Sequence, residues 1–148
     1  MIAADNSFGA YRGRLYLVYA SNNPVGSGNK SDVFLRYSTD QGVTWSTPKV
    51  VHDDPTTVDN IQFFPAIWSD KQTGRLYIKW YDTRNVPTSD STDVYATFTD
   101  DGGQTFAPNQ RLTNRAFKIS CTTCGGGGTP RYQGDYDAIT SNAITSLS

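Results

Sequence analysis

The segment Trp80-Tyr81-Asp82-Thr83-Arg84 is the first place where residue types and spacing could do chemistry. A carboxylate and a guanidinium leave the same strand end together. Such a pair either forms a loop salt bridge that caps the turn, or leaves Arg84 to hold an anionic ligand in a two-pronged grip. Farther along, Tyr136 lies between Asp135 and Asp137, so it reads as a Tyr–carboxylate pair or as a core tyrosine at a strand start. Cys121-Thr122-Thr123-Cys124 runs into four glycines, 125–128. Zinc wants four ligands and His52 is the only other soft one, while a redox role wants a C-x-x-C opening a helix in a βαβ unit. A local Cys121–Cys124 disulfide across a surface loop is the leading reading, with two reduced thiols as the alternative. The glycines lack the helix start and Lys-Ser/Thr of a phosphate cradle. Loop aspartates (Asp53, Asp54, Asp59; Asp82, Asp90, Asp93) could gather oxygens around calcium, but neither set has EF-hand spacing. No cofactor or metal is expected.

These residues must be positioned by a repeated unit. Ser38-Thr39-Asp40-Gln41-Gly42-Val43-Thr44-Trp45 returns as Thr99-Asp100-Asp101-Gly102-Gly103-Gln104-Thr105-Phe106, 61 positions later. The same offset relates Gly13-Arg14-Leu15-Tyr16 to Gly74-Arg75-Leu76-Tyr77, and Asp32-Val33-Phe34 to Asp93-Val94-Tyr95. One unit has been used twice. Each octet follows a run of β-branched and aromatic residues and has the makings of a hairpin turn. The Gly supplies φ > 0, the Asp accepts backbone N–H groups, and the final aromatic folds over the bend. Asp40 and Asp101 are therefore expected to be structural.

Both octets resemble the Asp boxes, or BNR repeats, of the sialidase (neuraminidase) superfamily, and the likeness covers residues 2–141. It implies an all-β chain of antiparallel four-stranded β-propeller blades, with each octet between the third and outermost strands. The strands expected are Ile2 to Asp5, Arg14 to Ala20, Asp32 to Tyr37 and Pro48 to His52. They are followed by Ile61 to Ser69, Arg75 to Tyr81, Asp93 to Phe98 and Arg111 to Thr113. Asp137 to Ser141 is expected as the inner strand of a further blade. The division is 1–52, 53–113 and 114–148, about two blades plus one strand. A closed propeller needs at least about four blades, or roughly 240 residues at this period, so the remaining blades or another copy of the chain are expected partners.

Composition agrees. All 14 acidic residues are Asp and none is Glu, a bias toward turns and away from helices. A net charge of −1 gives no electrostatic case for nucleic acid or an anionic membrane. No apolar run approaches the ~18 residues of a membrane span. Met1 to Asp5 lacks the basic and apolar regions of a signal peptide, while the possible disulfide points to a secreted or cell-surface protein.

In sialidase-like propellers the rim opposite the boxes carries the substrate site. The resemblance therefore implies a glycan or glycoconjugate ligand there. The residues to watch are Asp59, Asp82, Arg84, Asp90, Arg115, Arg131, Tyr132, Asp135 and Tyr136, with Asp82, Arg84, Arg115, Asp135 and Tyr136 chosen as substrate-binding. The family holds the substrate carboxylate with three arginines and uses an Asp acid/base with a Tyr nucleophile activated by Glu. This chain has no Glu and no F-R-I-P segment, so no catalytic role is assigned. Two functions follow: a segment of a sialidase-like glycoside hydrolase, inactive alone, or a non-catalytic module that binds glycan or protein.

Overall fold

The structure, a computed structural model, describes residues 1–22, 31–55, 60–87, 91–118 and 137–141. No helix occurs among them, and all the sheet pairing is antiparallel. The first sheet runs β1 (Ile2–Ala4), β2 (Leu15–Ser21), β3 (Asp32–Ser38) and β4 (Lys49–Val50), each beside the next. The second repeats that order with β5 (Gln62–Ser69), β6 (Leu76–Asp82), β7 (Ser91–Thr99) and β8 (Gln110–Arg111). A short β9 (Phe117–Lys118), inside the stretch expected as a connector, pairs with the start of β7.

The repeat extends to the backbone. Ser46 N donates to Tyr37 O as Ala107 N does to Phe98 O, and Val51 N donates to Val33 O as Leu112 N does to Val94 O. Each pair is related by the 61-residue offset.

Alternation then decides the core, because residues paired across strands share a face. Tyr16, Val18, Val33 and Leu35 of the first sheet meet Ile67, Leu76, Ile78, Trp80 and Tyr95 of the second in one apolar layer. Burial pushes the Tyr16 phenol up to about 12. Asp137 to Ser141, expected as an inner strand, forms no ladder among the described residues. It is held by side chains instead: Trp68 Nε1 donates to Ser141 Oγ at 3.1 Å, and Ser141 Oγ to Asp70 Oδ2 at 2.6 Å. A strand needs backbone pairing along its length, and among the described residues this segment is met by side chains alone.

Both octets are turns at the same rim. In the first, Asp40 Oδ1 accepts from Ser38 Oγ and Thr44 N, Asp40 Oδ2 accepts from Thr44 Oγ1, and Trp45 Nε1 donates to Gly42 O. Asp101 repeats the scheme with Thr99 and Thr105. The Thr44 hydroxyl leads the donors that hold the Asp40 carboxyl at about 2. At Asp101 burial works against ionisation, but the Thr105 and Thr99 donors outweigh it and hold the carboxyl well below the usual range. Not only Gly42 (φ 92) but also Gln41 (φ 61) takes the left-handed conformation, where the second copy has Gly102 and Gly103. Arg14 Nη1 donates to Gly102 O at 2.8 Å, tying the second turn to the first sheet at that rim.

Candidate functional site

The opposite rim collects the N-terminal ends of β5 and β7, the C-terminal end of β6 and the connectors that follow β4. Two clusters form there, on opposite faces of the second sheet.

The first contains Asp82 and Arg84. Asp82 ends β6 on the core face, fully buried. Its carboxylate accepts from Trp80 Nε1 (2.9 Å), Gln62 Nε2 (3.3 Å), Arg84 N (2.8 Å) and the Arg84 Nε and Nη2 (2.9 and 2.8 Å). The same guanidinium donates to Asp53 Oδ1 at 2.6 Å and Asn109 Oδ1 at 3.1 Å, and lies 4.2 Å over the Tyr95 ring. Burial opposes its charge, yet Asp82 and Asp53 hold its pKa above the ordinary value. Burial likewise opposes ionisation of Asp53, and the Asn109 N–H and Arg84 keep that carboxyl low. Arg84 is thus engaged by two carboxylates, as the loop salt-bridge reading describes. Beside it, buried Asp93 accepts from Asn85, Arg111 and Thr113, which overcome its desolvation and lower its pKa.

Beneath this cluster Gln62 Nε2 bridges Asp82 and Asp54, and His52 Nδ1 meets the Asp54 carbonyl at 3.0 Å. A carbonyl only accepts, so Nδ1 carries the proton. Nε2 stands 3.2 Å from Asp32 Oδ1, with both side chains buried. Burial raises the Asp32 pKa, and His52 offsets part of that rise.

The second cluster lies on the outward face. Lys79 pairs with Asp137, and the Tyr81 pKa is raised by burial and then by that carboxylate. Tyr81 stacks on Phe63 (5.4 Å between centroids) and meets Phe64 (6.1 Å) and Phe117 (6.0 Å) edge-on. Phe64 is half exposed, at 51%. It adopts φ 47 beside a register shift between Phe63 and Ala66.

Of the residues chosen from sequence, the structure brings Asp82 and Arg84 together. Arg115 is exposed, with no partner among the described residues. Asp135, Tyr136, Cys121 and Cys124 lie outside the described residues, as do Asp59, Asp90, Arg131 and Tyr132. Asp137, the neighbour of Tyr136 in sequence, has its carboxylate on Lys79 and Tyr81. The pairing with Lys79 spans 58 positions, so no local spacing could signal it. The aromatic cluster did leave a signal in Phe63-Phe64-Pro65. Proline inside a strand is confined to edges and bulges, so two aromatics before it mark a break in alternation.

Chemically, this rim supplies aromatic surface and a phenol that stays protonated, while Asp53, Asp82, Asp93 and Asp137 are paired with Arg or Lys. The turn rim supplies less. A cavity of about 240 Å³ there, lined by Leu35, Tyr37, Ser46, Thr47, Pro48, Lys49, Gly103 and Gln104, has Lys49 as its single charged side chain.

No family model and no curated protein matches the chain. Among solved structures it is similar to one titled "Hadza microbial sialidase Hz136", with 21% identity and a TM-score of 0.53. The match covers 67% of this chain and 23% of that one, so the chain spans about a quarter of its neighbour's length. At that identity the likeness speaks to fold alone: a sialidase-like arrangement of incomplete β-propeller blades.

Proposed function

We propose that this chain is a segment of a sialidase-like glycoside hydrolase that meets its glycan at the rim opposite the Asp–Gly turns. The carrying observation is that both turns occupy one rim of sialidase-like blades, leaving the loop rim with the aromatic cluster around Tyr81. Bond cleavage is assigned to groups beyond the described residues. A phenol needs a paired carboxylate to attack near neutral pH, and Asp137 beside Tyr81 is already paired with Lys79. Further blades or a second copy would complete the site, and a secreted or cell-surface setting suits such a substrate.

The engagement of Arg84 by Asp82 and Asp53 favours a second reading, a non-catalytic module that binds glycan or protein. One titration separates them from a chain with no glycan role. The 148-residue chain is expected to bind 3′-sialyllactose by ligand-observed NMR without turning over a fluorogenic sialoside. Absence of any saccharide binding sinks both glycan readings, while turnover by this chain alone would show that cleavage needs no further blade.

A further inference from the structure

We infer that Asp32 and His52 hold one proton between them, and that this proton locks the junction of the two sheets at the loop rim, which loosens when alkali removes it. The inference is independent of the glycan reading. His52 Nδ1 donates to the Asp54 carbonyl at 3.0 Å, which leaves Nε2 turned to Asp32 Oδ1 at 3.2 Å. Both side chains are buried, and neither Nε2 nor Asp32 Oδ2 has another partner among the described residues. A bare Nε2 and a carboxylate oxygen would face each other with lone pairs, each unsatisfied in a buried setting. One proton on that edge removes the conflict. Whether it rests on nitrogen or on oxygen, it leaves the pair without net charge.

The repeat shows that this aspartate can be held without a histidine. Asp32 corresponds to Asp93, which accepts from Asn85, Arg111 and Thr113. The positions 61 residues before Arg111 and Thr113 are Val50 and His52. The first unit therefore has one titratable ring where the second has a fixed cation and a hydroxyl. Around the pair stand Asp54 on the connector and Asp82 at the end of β6, while Arg84 is engaged by Asp82 and Asp53. Burial leads in raising the Asp32 pKa, His52 opposes the rise, and Asp54 and Asp82 add to it. Loss of the shared proton thus leaves a buried anion among like charges. A proton held more tightly in the folded chain contributes stability that is lost as pH rises through the folded value. The sheets join at the same place. Gln62 N, at the start of β5, donates to Ser31 O just before β3 at 2.7 Å, and Gln62 Nε2 reaches Asp54 and Asp82.

The test follows urea unfolding of the full chain from about pH 6 to about pH 9, starting below the ordinary histidine pKa near 6.5. His52 is the single histidine, so its imidazole resonances are read without ambiguity. The wild-type folding constant is expected to fall about tenfold over that range, with the protection of the Gln62 amide against hydrogen exchange falling in step. Asp32→Asn sets a permanent amide donor against Nε2, and His52→Thr copies the Thr113 arrangement, so each is expected to abolish the fall. Comparison with wild type at each pH cancels groups such as the Met1 amine that titrate in the same range. A fall equally steep in whichever variant folds, or a wild-type folding constant that stays level, overturns the proposal. Where neither variant folds, the wild-type chain decides: Gln62 protection must fall with the midpoint of the Nε2 resonance, and a different midpoint overturns the lock.

Discussion

Gly103 and Gly13 share a backbone conformation and differ in surroundings. Both have positive φ, 89 and 85. A Cβ on Gly103 would sit 2.7 Å from Leu35 Cδ2, and Leu35 is core, whereas one on Gly13 meets nothing within 4 Å. Gly103→Ala therefore combines conformational strain with overpacking and is expected to cost about 3 kcal/mol. Gly13→Ala should cost only the strain, about 1 kcal/mol. Denaturant midpoints at constant slope would check the order, and equal losses would show that the second turn does not lean on Leu35. The octets made the turn glycines readable, but Gln41 carried no such mark. Its positive φ follows from the turn it shares with Gly42, because the Asp40 hydrogen bonds fix the bend whichever residue stands there.

Acid stability follows from the same side chains. Asp40 and Asp70 titrate in the folded chain at about 2, Asp70 chiefly through the Ser141 hydroxyl, and Asp101 is lowered as well. A free aspartate titrates near 3.9, so as pH falls the unfolded chain binds protons first. The stability these groups contribute is whole above about pH 4 and is lost as pH drops toward about 2. Asp32 has the opposite sign. Its raised folded pKa contributes stability below the unfolded value that is lost as pH rises through the folded one. Urea unfolding from pH 2 to 7 should show the acid limb, and Asp101→Asn should flatten it. An unchanged limb would remove the turn from the account.

At the scale of elements, the β6–β7 end is held by charge. Arg84→Ala leaves Asp82 fully buried and without a cation, which is expected to destabilise by about 3 kcal/mol. Arg84→Lys should recover only part, because an ammonium cannot fork between Asp82 and Asp53. Asp53→Ala, with that side chain half exposed, should cost about 1 kcal/mol or less. Equal effects of the Arg84 and Asp53 variants would mean that Asp82 needs no counter-charge. Strand order was legible because alternation and the Asp–Gly turns are local signals. The Asp53–Asn109 and Lys79–Asp137 contacts were not. They join residues brought together only when one sheet meets the next segment, and nothing in a window of neighbours encodes that.

For the whole molecule, the 61-residue offset predicts what each outer face can meet. Inside, Tyr16, Val18, Val33 and Leu35 pack on Leu76, Ile78, Trp80 and Tyr95. Shifting the first set forward gives Tyr77, Lys79, Val94 and Ala96, on the outward face of the second sheet. Shifting the other back gives Leu15, Leu17, Tyr19 and Phe34, on the outward face of the first. The two ends of the stack are therefore quasi-equivalent to the two halves of the interface already formed. Such a head-to-tail contact continues until a ring closes or a filament grows. The 148-residue chain, of mass 16.3 kDa, is accordingly expected to weigh more in solution as its concentration rises. Leu17 and Tyr19 are half-buried on that first face, so Leu17→Glu with Tyr19→Glu should return the single-chain mass. The same change should leave the core layer intact, because both side chains point away from it. Light scattering across a concentration series decides the matter: a wild-type chain that stays at its single-chain mass throughout would show that these faces need no partner.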